Sequence, residues 1–261
     1  MNRRKINPVF IIIVLFYFST SYSQQVSVTK QFHRGSTLDK QFELVNMSSI
    51  PYLLDNSIRN TDKKFKNEPS ENYKGTPYGF PSYLLGNVYM NDSLIYNNVA
   101  LRYNVIEDEV EVKKSLQSLD ENAMALLKSP SISVMISENK YIFIPKGKGL
   151  INGGYVQVLT RGTNISLYKK LEKYYSPAKK AKNTFESDLL PTFKDHIVYY
   201  IYFSNGGMIE LPKQKNKKFK TFGKSEKKIK AYAKEYKLDI NDEEDLKRII
   251  IYLDNYNDAS L

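Results

Sequence analysis

The chain has 261 residues, with 39 Lys and Arg against 28 Asp and Glu for a formal charge of +11, 41% hydrophobic residues, and neither Cys nor Trp. Without cysteine there is no disulfide, no thiolate zinc site and no diacylglyceryl-cysteine anchor. The length allows one core of ordinary size to form without covalent staples.

Residues 1–23 place Arg3, Arg4 and Lys5 ahead of an apolar run over 9–18, followed by a polar stretch with small residues at Ser21 and Ser23. This order predicts a secretory signal peptide cleaved between Ser23 and Gln24. The apolar run is shorter than the roughly 20 residues a membrane-spanning helix requires. An uncleaved N-terminal anchor is the alternative. No later stretch is long and apolar enough to cross a bilayer, so the mature chain is expected to be exported, periplasmic or secreted, with no transmembrane span.

Residues 24–79 are mixed in texture, with a short strand or helix expected over 40–54 and a polar linker or loose loop over 55–75. From residue 80 to 211 the pattern becomes short alternating runs rich in Tyr, Val and Ile, broken by turn signals, as antiparallel sheets require. "YLLGNVYM", the turn "NDS", "LIYNNVALRYNV" and "DEVEVK" predict a meander. Val99, Leu101, Tyr103 and Val105 share one parity, and Val110 and Val112 alternate with Glu109 and Glu111, which predicts a hairpin with one wet face. Residues 115–130 are expected to be a helical turn or two, or an irregular crossing. Further hairpins are expected across Glu138-Asn139, across residues 161–164, and at "NGG", where Asn205-Gly206 is a strong turn signal.

After Pro212 the apolar period changes from two to about 3.6. Ile229, Tyr232, Ala233 and Tyr236 form one inward stripe, and Leu246, Ile249, Ile250 and Leu253 form another. Ser225 is placed to cap the first helix, and "NDEE" over 241–244 to open the second. The fold class predicted is α+β, mainly β: an antiparallel meander sheet or small sandwich, with a basic C-terminal αα-hairpin over 212–261 packed on the β domain.

Few residue groups suggest chemistry. His33 and His196 stand alone, and Asp195-His196 lacks a nucleophile elbow and places its two side chains on opposite faces of a strand. Glu107, Asp108, Glu109 and Glu111 do not follow a calcium-loop spacing and read as a solvated hairpin edge. "KGKGLINGG" over 146–154 matches neither phosphate-binding glycine pattern and precedes a strand. No cofactor is implied.

The remaining candidate is the charge over residues 212–237, where eleven lysines face only Glu226 and Glu235. That surplus exceeds the surplus of the whole chain after Gln24, so the basic character belongs to one segment. Lys217, Lys218, Lys220, Lys224, Lys227 and Lys228 are the candidate contacts to an anionic partner: anionic lipid, lipopolysaccharide, acidic glycan or an envelope protein. A merely solvated helix face is the competing reading. Nucleic acid is disfavoured, because Lys greatly outnumbers Arg here and the chain is expected to be exported.

The leader with cleavage before Gln24, the hairpin "GNVYMNDSLIYNNVALRYNVIEDEVEV" and the terminal "KAYAKEYKLDINDEEDLKRIIIYLDNY" resemble exported proteins of unknown function from Bacteroidota-type Gram-negative bacteria. The resemblance runs from Leu84 to the C-terminus. It implies a cell-envelope setting and assigns no activity or functional residue. The function expected is an exported envelope binding or structural module, and the alternative is a carboxylate-dependent hydrolase of the envelope.

Overall fold

Alternation of period two becomes, in the computed structural model, one antiparallel sheet whose strands run in the order β1-β5-β4-β3-β2-β6-β7-β8-β9-β10-β11. The structure describes residues 58–60 and 73–256 apart from 151, 184 and 206. The expected cleavage site at Ser23 and Gln24, His33 and the element expected over 40–54 lie outside the described residues.

The strands are β1 (Ile58–Asn60), β2 (Leu84–Met90), β3 (Ser93–Asn104), β4 (Glu109–Lys113), β5 (Met124–Leu126), β6 (Ile132–Ile136), β7 (Asn139–Ile144), β8 (Gly154–Arg161), β9 (Ile165–Ser176), β10 (Thr192–Phe203) and β11 (Gly207–Glu210). The mainly β class therefore holds in its meander form, as a single sheet. Asn91 and Asp92 take left-handed backbone in the turn before β3, and Ser137 does so between β6 and β7. Short polar side chains tolerate that conformation better than branched ones. In the last hairpin the left-handed residue among those described is Gly207, not Asn205.

The sheet is strongly curled. β3 and β8 stand four strands apart in the order, which would be about 19 Å in a flat sheet. Yet the ring of Tyr103 on β3 lies 5.6 Å from that of Tyr141 on β7 and 6.0 Å from that of Tyr155 on β8. Asp108, in the turn after β3, fastens the curl: its Oδ1 accepts from the Tyr103 hydroxyl at 2.6 Å and from the Tyr155 backbone N–H at 3.1 Å. Residues 74–78 add a strap, with Lys74 bridging to Thr192 on β10 and Tyr78 to Asn104 on β3. Gly86 on β2 has no room for a side chain, because a Cβ there would collide with the Met135 carbonyl of β6.

Residues 55–79 are not wholly a linker: Ile58–Asn60 pairs with β5 and the 74–78 strap joins two strands, so the β region starts before residue 80. The stretch over 115–130 holds a 3-10 turn, Asp120–Asn122, and then a strand, β5. The β3–β4 hairpin has no wet face. Glu109, Glu111 and Lys113 are all buried, since residues 78–83 and Asp120 cover the side that the alternation marked as exposed.

The helices are α1 (Lys215–Lys220), α2 (Glu226–Glu235) and α3 (Glu243–Asn255). Ile229 and Ala233 of α2 and Leu246, Ile249, Ile250 and Leu253 of α3 pack on Ile165, Leu167, Ile201 and Phe203, the inward residues of β9 and β10. Full burial of each large aliphatic side chain favours this packing by about 1.5–3 kcal/mol. Asp242 is the residue that caps α3, accepting from the Glu244 and Asp245 N–H groups. Ser225 has helical backbone and makes no side-chain cap bond. Tyr236, expected on the inward stripe, is exposed at the end of α2.

Candidate functional site

Alternate residues of β9 and β10 build a continuous inner surface, because Ile201 opposes Leu167, Tyr199 opposes Lys169, Ile197 opposes Leu171 and Asp195 opposes Lys173. The helices cover one end of it, and the Tyr103, Tyr141 and Tyr155 core covers the middle. At the seam lies a cavity of about 310 Å³, lined by Gly79, Phe80, Tyr103, Asn139, Tyr141, Tyr155, Gln157, Lys169, Leu171, Asp195, Ile197 and Glu243.

Glu243 sits at the first turn of α3. Its Oε2 receives Lys169 Nζ at 2.8 Å and the Tyr199 hydroxyl at 2.8 Å. Burial alone pushes its carboxyl up, but the bonds from Lys169 and Tyr199 outweigh this and hold it below its usual value. Tyr199 is raised by burial and by the hydrogen bond it gives Glu243. Gln157 Nε2 donates to Asn139 Oδ1 at 2.7 Å across β7 and β8. Tyr141 is 7% exposed, and burial pushes its hydroxyl up to about 12.

A second polar cluster lies on the opposite face of β3 and β4. Arg102 is held between the rings of Tyr78 (3.6 Å) and Tyr83 (4.1 Å) and donates to Glu111 Oε2 at 2.8 Å. Tyr83 donates to the same carboxylate at 2.7 Å, and Asn104 Nδ2 reaches its other oxygen at 3.2 Å. Lys113 pairs with Asp120 at 2.7 Å. Burial disfavours the Arg102 charge, yet the hydrogen bond and attraction from Glu111 more than compensate, and the Arg102 pKa is raised. Arg102, Glu111 and Lys113 are each matched and largely enclosed, with Asp120 reaching in from the surface, which makes this a structural lock. Of the four acids expected at a solvated edge, Glu111 is its centre, while Asp108 fastens the other face.

His196 lies within β10 and meets Glu172 of β9, Nδ1 to Oε2 at 2.9 Å. Its Nε2 is enclosed without a hydrogen-bond partner among the described residues, so it presents no base to a groove. Asp195 faces the other side and pairs with Lys173. The described residues contain no group of three or more His, Asp or Glu placed to hold a metal.

The six candidate lysines separate into three kinds. Lys217, Lys220, Lys224 and Lys227 are exposed and have no carboxylate partner among the described residues. Lys218 turns inward, 6% exposed, and its Nζ donates to the Ile240 carbonyl at 3.4 Å. Burial lowers its pKa against a smaller opposing pull from Asp239. Lys228 is half-buried and lies over the Tyr256 ring. The docking set expected from the sequence therefore loses Lys218, because helical period alone did not show that α1 buries Lys218 beside Phe219.

No family model matches the chain, and neither a curated protein nor a solved structure matches it. Among the described residues, no helix is long and apolar enough to cross a membrane.

Proposed function

We propose that this protein is an exported cell-envelope binding module that docks on anionic, phosphate-bearing lipid through the lysine corner formed by α1 and the start of α2. The observation that supports this reading is the accessibility of Lys217, Lys220, Lys224 and Lys227 with no carboxylate partner among the described residues. Several other lysines are matched, Lys113 by Asp120, Lys169 by Glu243, Lys173 by Asp195, Lys215 by Asp239 and Lys230 by Glu226. Exposed lysines without a carboxylate partner among the described residues also occur elsewhere, as at Lys114, Lys146 and Lys194, and what distinguishes the corner is that four fall within residues 217–227. Each basic residue close to a negatively charged bilayer contributes about 1 kcal/mol of attraction, so four acting together give useful affinity without a deep pocket. The export signal expected in residues 1–23 agrees with such a partner.

Co-sedimentation with vesicles tests the proposal. The chain from Gln24 should pellet with phosphatidylglycerol vesicles and remain in solution with phosphatidylcholine vesicles. Equal behaviour with both would remove the proposal. The alternative, a carboxylate-dependent hydrolase, has less support, since the Glu111, Asp195 and Glu243 carboxylates are each engaged by a cation, Arg102, Lys173 and Lys169 respectively.

A further inference from the structure

We infer that the seam cavity is a binding site for a neutral sugar ring, a function separate from docking by the lysine corner. Its size, about 310 Å³, is at the lower end of the range for small-molecule sites and suits one ring rather than an extended chain. One wall is aromatic, from Tyr103, Tyr141 and Tyr155, and Leu171 and Ile197 supply aliphatic surface. A sugar presents an apolar C–H face to such walls and hydroxyls around its rim.

The polar groups select for neutrality. Lys169 and Glu243 neutralise each other, and Asp195 is neutralised by Lys173. An ionic ligand would have to break one of these pairs and leave a partly buried charge uncompensated. What stays open is uncharged. The Gln157-to-Asn139 bond uses one amide hydrogen of Gln157 and the oxygen of Asn139, which leaves the Gln157 carbonyl as acceptor and the Asn139 amide as donor. The Tyr141 hydroxyl, on a residue more than nine-tenths buried, has no hydrogen-bond partner among the described residues. A purely apolar occupant would leave all three groups unsatisfied, at a cost that hydroxyls on a sugar avoid.

The test is a calorimetric titration of the chain from Gln24 with methyl glucoside, methyl galactoside and N-acetylglucosamine, with glucose 6-phosphate as the charged comparator. At least one neutral sugar should bind saturably at one site, more tightly than glucose 6-phosphate. Tyr141→Phe removes only the hydroxyl and should weaken binding about tenfold, the equivalent of one hydrogen bond. Ile197→Trp should fill the cavity and abolish binding; if it fails to fold, Gln157→Leu takes its place and should weaken binding as Tyr141→Phe does. Substituting Lys217, Lys220, Lys224 and Lys227 with Gln should leave sugar binding unchanged, which separates this site from the docking surface. Absence of saturable binding by all three neutral sugars would overturn the inference, as would tighter binding of glucose 6-phosphate or a folded Tyr141→Phe protein that binds as the wild type does.

Discussion

The carboxylate of Asp254, in the last turn of α3, accepts the backbone N–H groups of Thr163 (3.0 Å), Asn164 (2.7 Å) and Ile165 (2.8 Å) in the β8–β9 turn. A helix C-terminus ordinarily disfavours an acid, so this residue is kept there by what it ties down. Gly162 leaves the space for it, since a Cβ at that position would collide with the Asp254 carboxylate. Asp254→Ala should cost about 2 kcal/mol by leaving three N–H donors without their acceptor. Urea denaturation measures that loss, and an unchanged midpoint would show that water replaces the carboxylate at no cost.

The Arg102–Glu111 pair predicts a non-additive result. Arg102→Met strands a carboxylate that is 5% exposed as a residue, and should destabilise by about 3–5 kcal/mol. Combining it with Glu111→Leu should recover most of that loss, because removing both charges removes the stranded one. Thermal melting of the two single variants and the double variant gives the coupling. Additive losses would mean that Glu111 is held by Tyr83 and Asn104 alone.

Acid should loosen the contact between α3 and the sheet. Glu243 has a folded-state pKa below its ordinary value, so folding favours its charged form. Its contribution is complete above the unfolded carboxylate value of about 4.3 and is lost as the pH falls through the lower folded value. Melting temperatures measured from pH 6 down to pH 3 should fall at the acid end, and Glu243→Gln should flatten that fall. Parallel curves for the two proteins would contradict this.

Removal of the helices should uncover the sheet. Ile165, Leu167, Ile201 and Phe203 are buried against α2 and α3, and their exposure would create a contiguous apolar patch of the kind soluble monomers avoid. A chain ending at residue 211 should associate on size-exclusion chromatography and bind a hydrophobic dye. Monomeric behaviour with native stability would make the helices an appendage.

The hairpins were legible in the sequence because period-two alternation and turn residues are local signals, and the helical pair was legible from its 3.6 period. The burial of Glu109 and Glu111 was not. Alternation identifies two faces but not what covers each, and nothing local to Tyr78 or Tyr83, just ahead of β2, tells that they fold over Arg102 and Glu111. Lys218 was misplaced for a related reason: a lysine beside Phe219 looks like its neighbours until the carbonyl of Ile240 arrives from the α2–α3 link. The cavity had no sequence signal. Its polar groups come from β7, β8, β9, β10 and α3, and only the curl of the sheet brings them together.

The most direct test of docking is the salt dependence of binding to phosphatidylglycerol vesicles, compared across three proteins. Wild-type affinity should fall steeply between low and physiological salt, where the screening length shortens to about 8 Å. The protein with Lys217, Lys220, Lys224 and Lys227 changed to Gln should lose binding while its melting temperature stays close to wild type, since exposed lysines contribute little to folding. Lys218→Met, which alters a buried residue, should bind as wild type does with the same salt slope. Equal vesicle binding by the wild-type and the four-Gln proteins, with no dependence on salt, would contradict the proposal that the lysine corner is the docking surface.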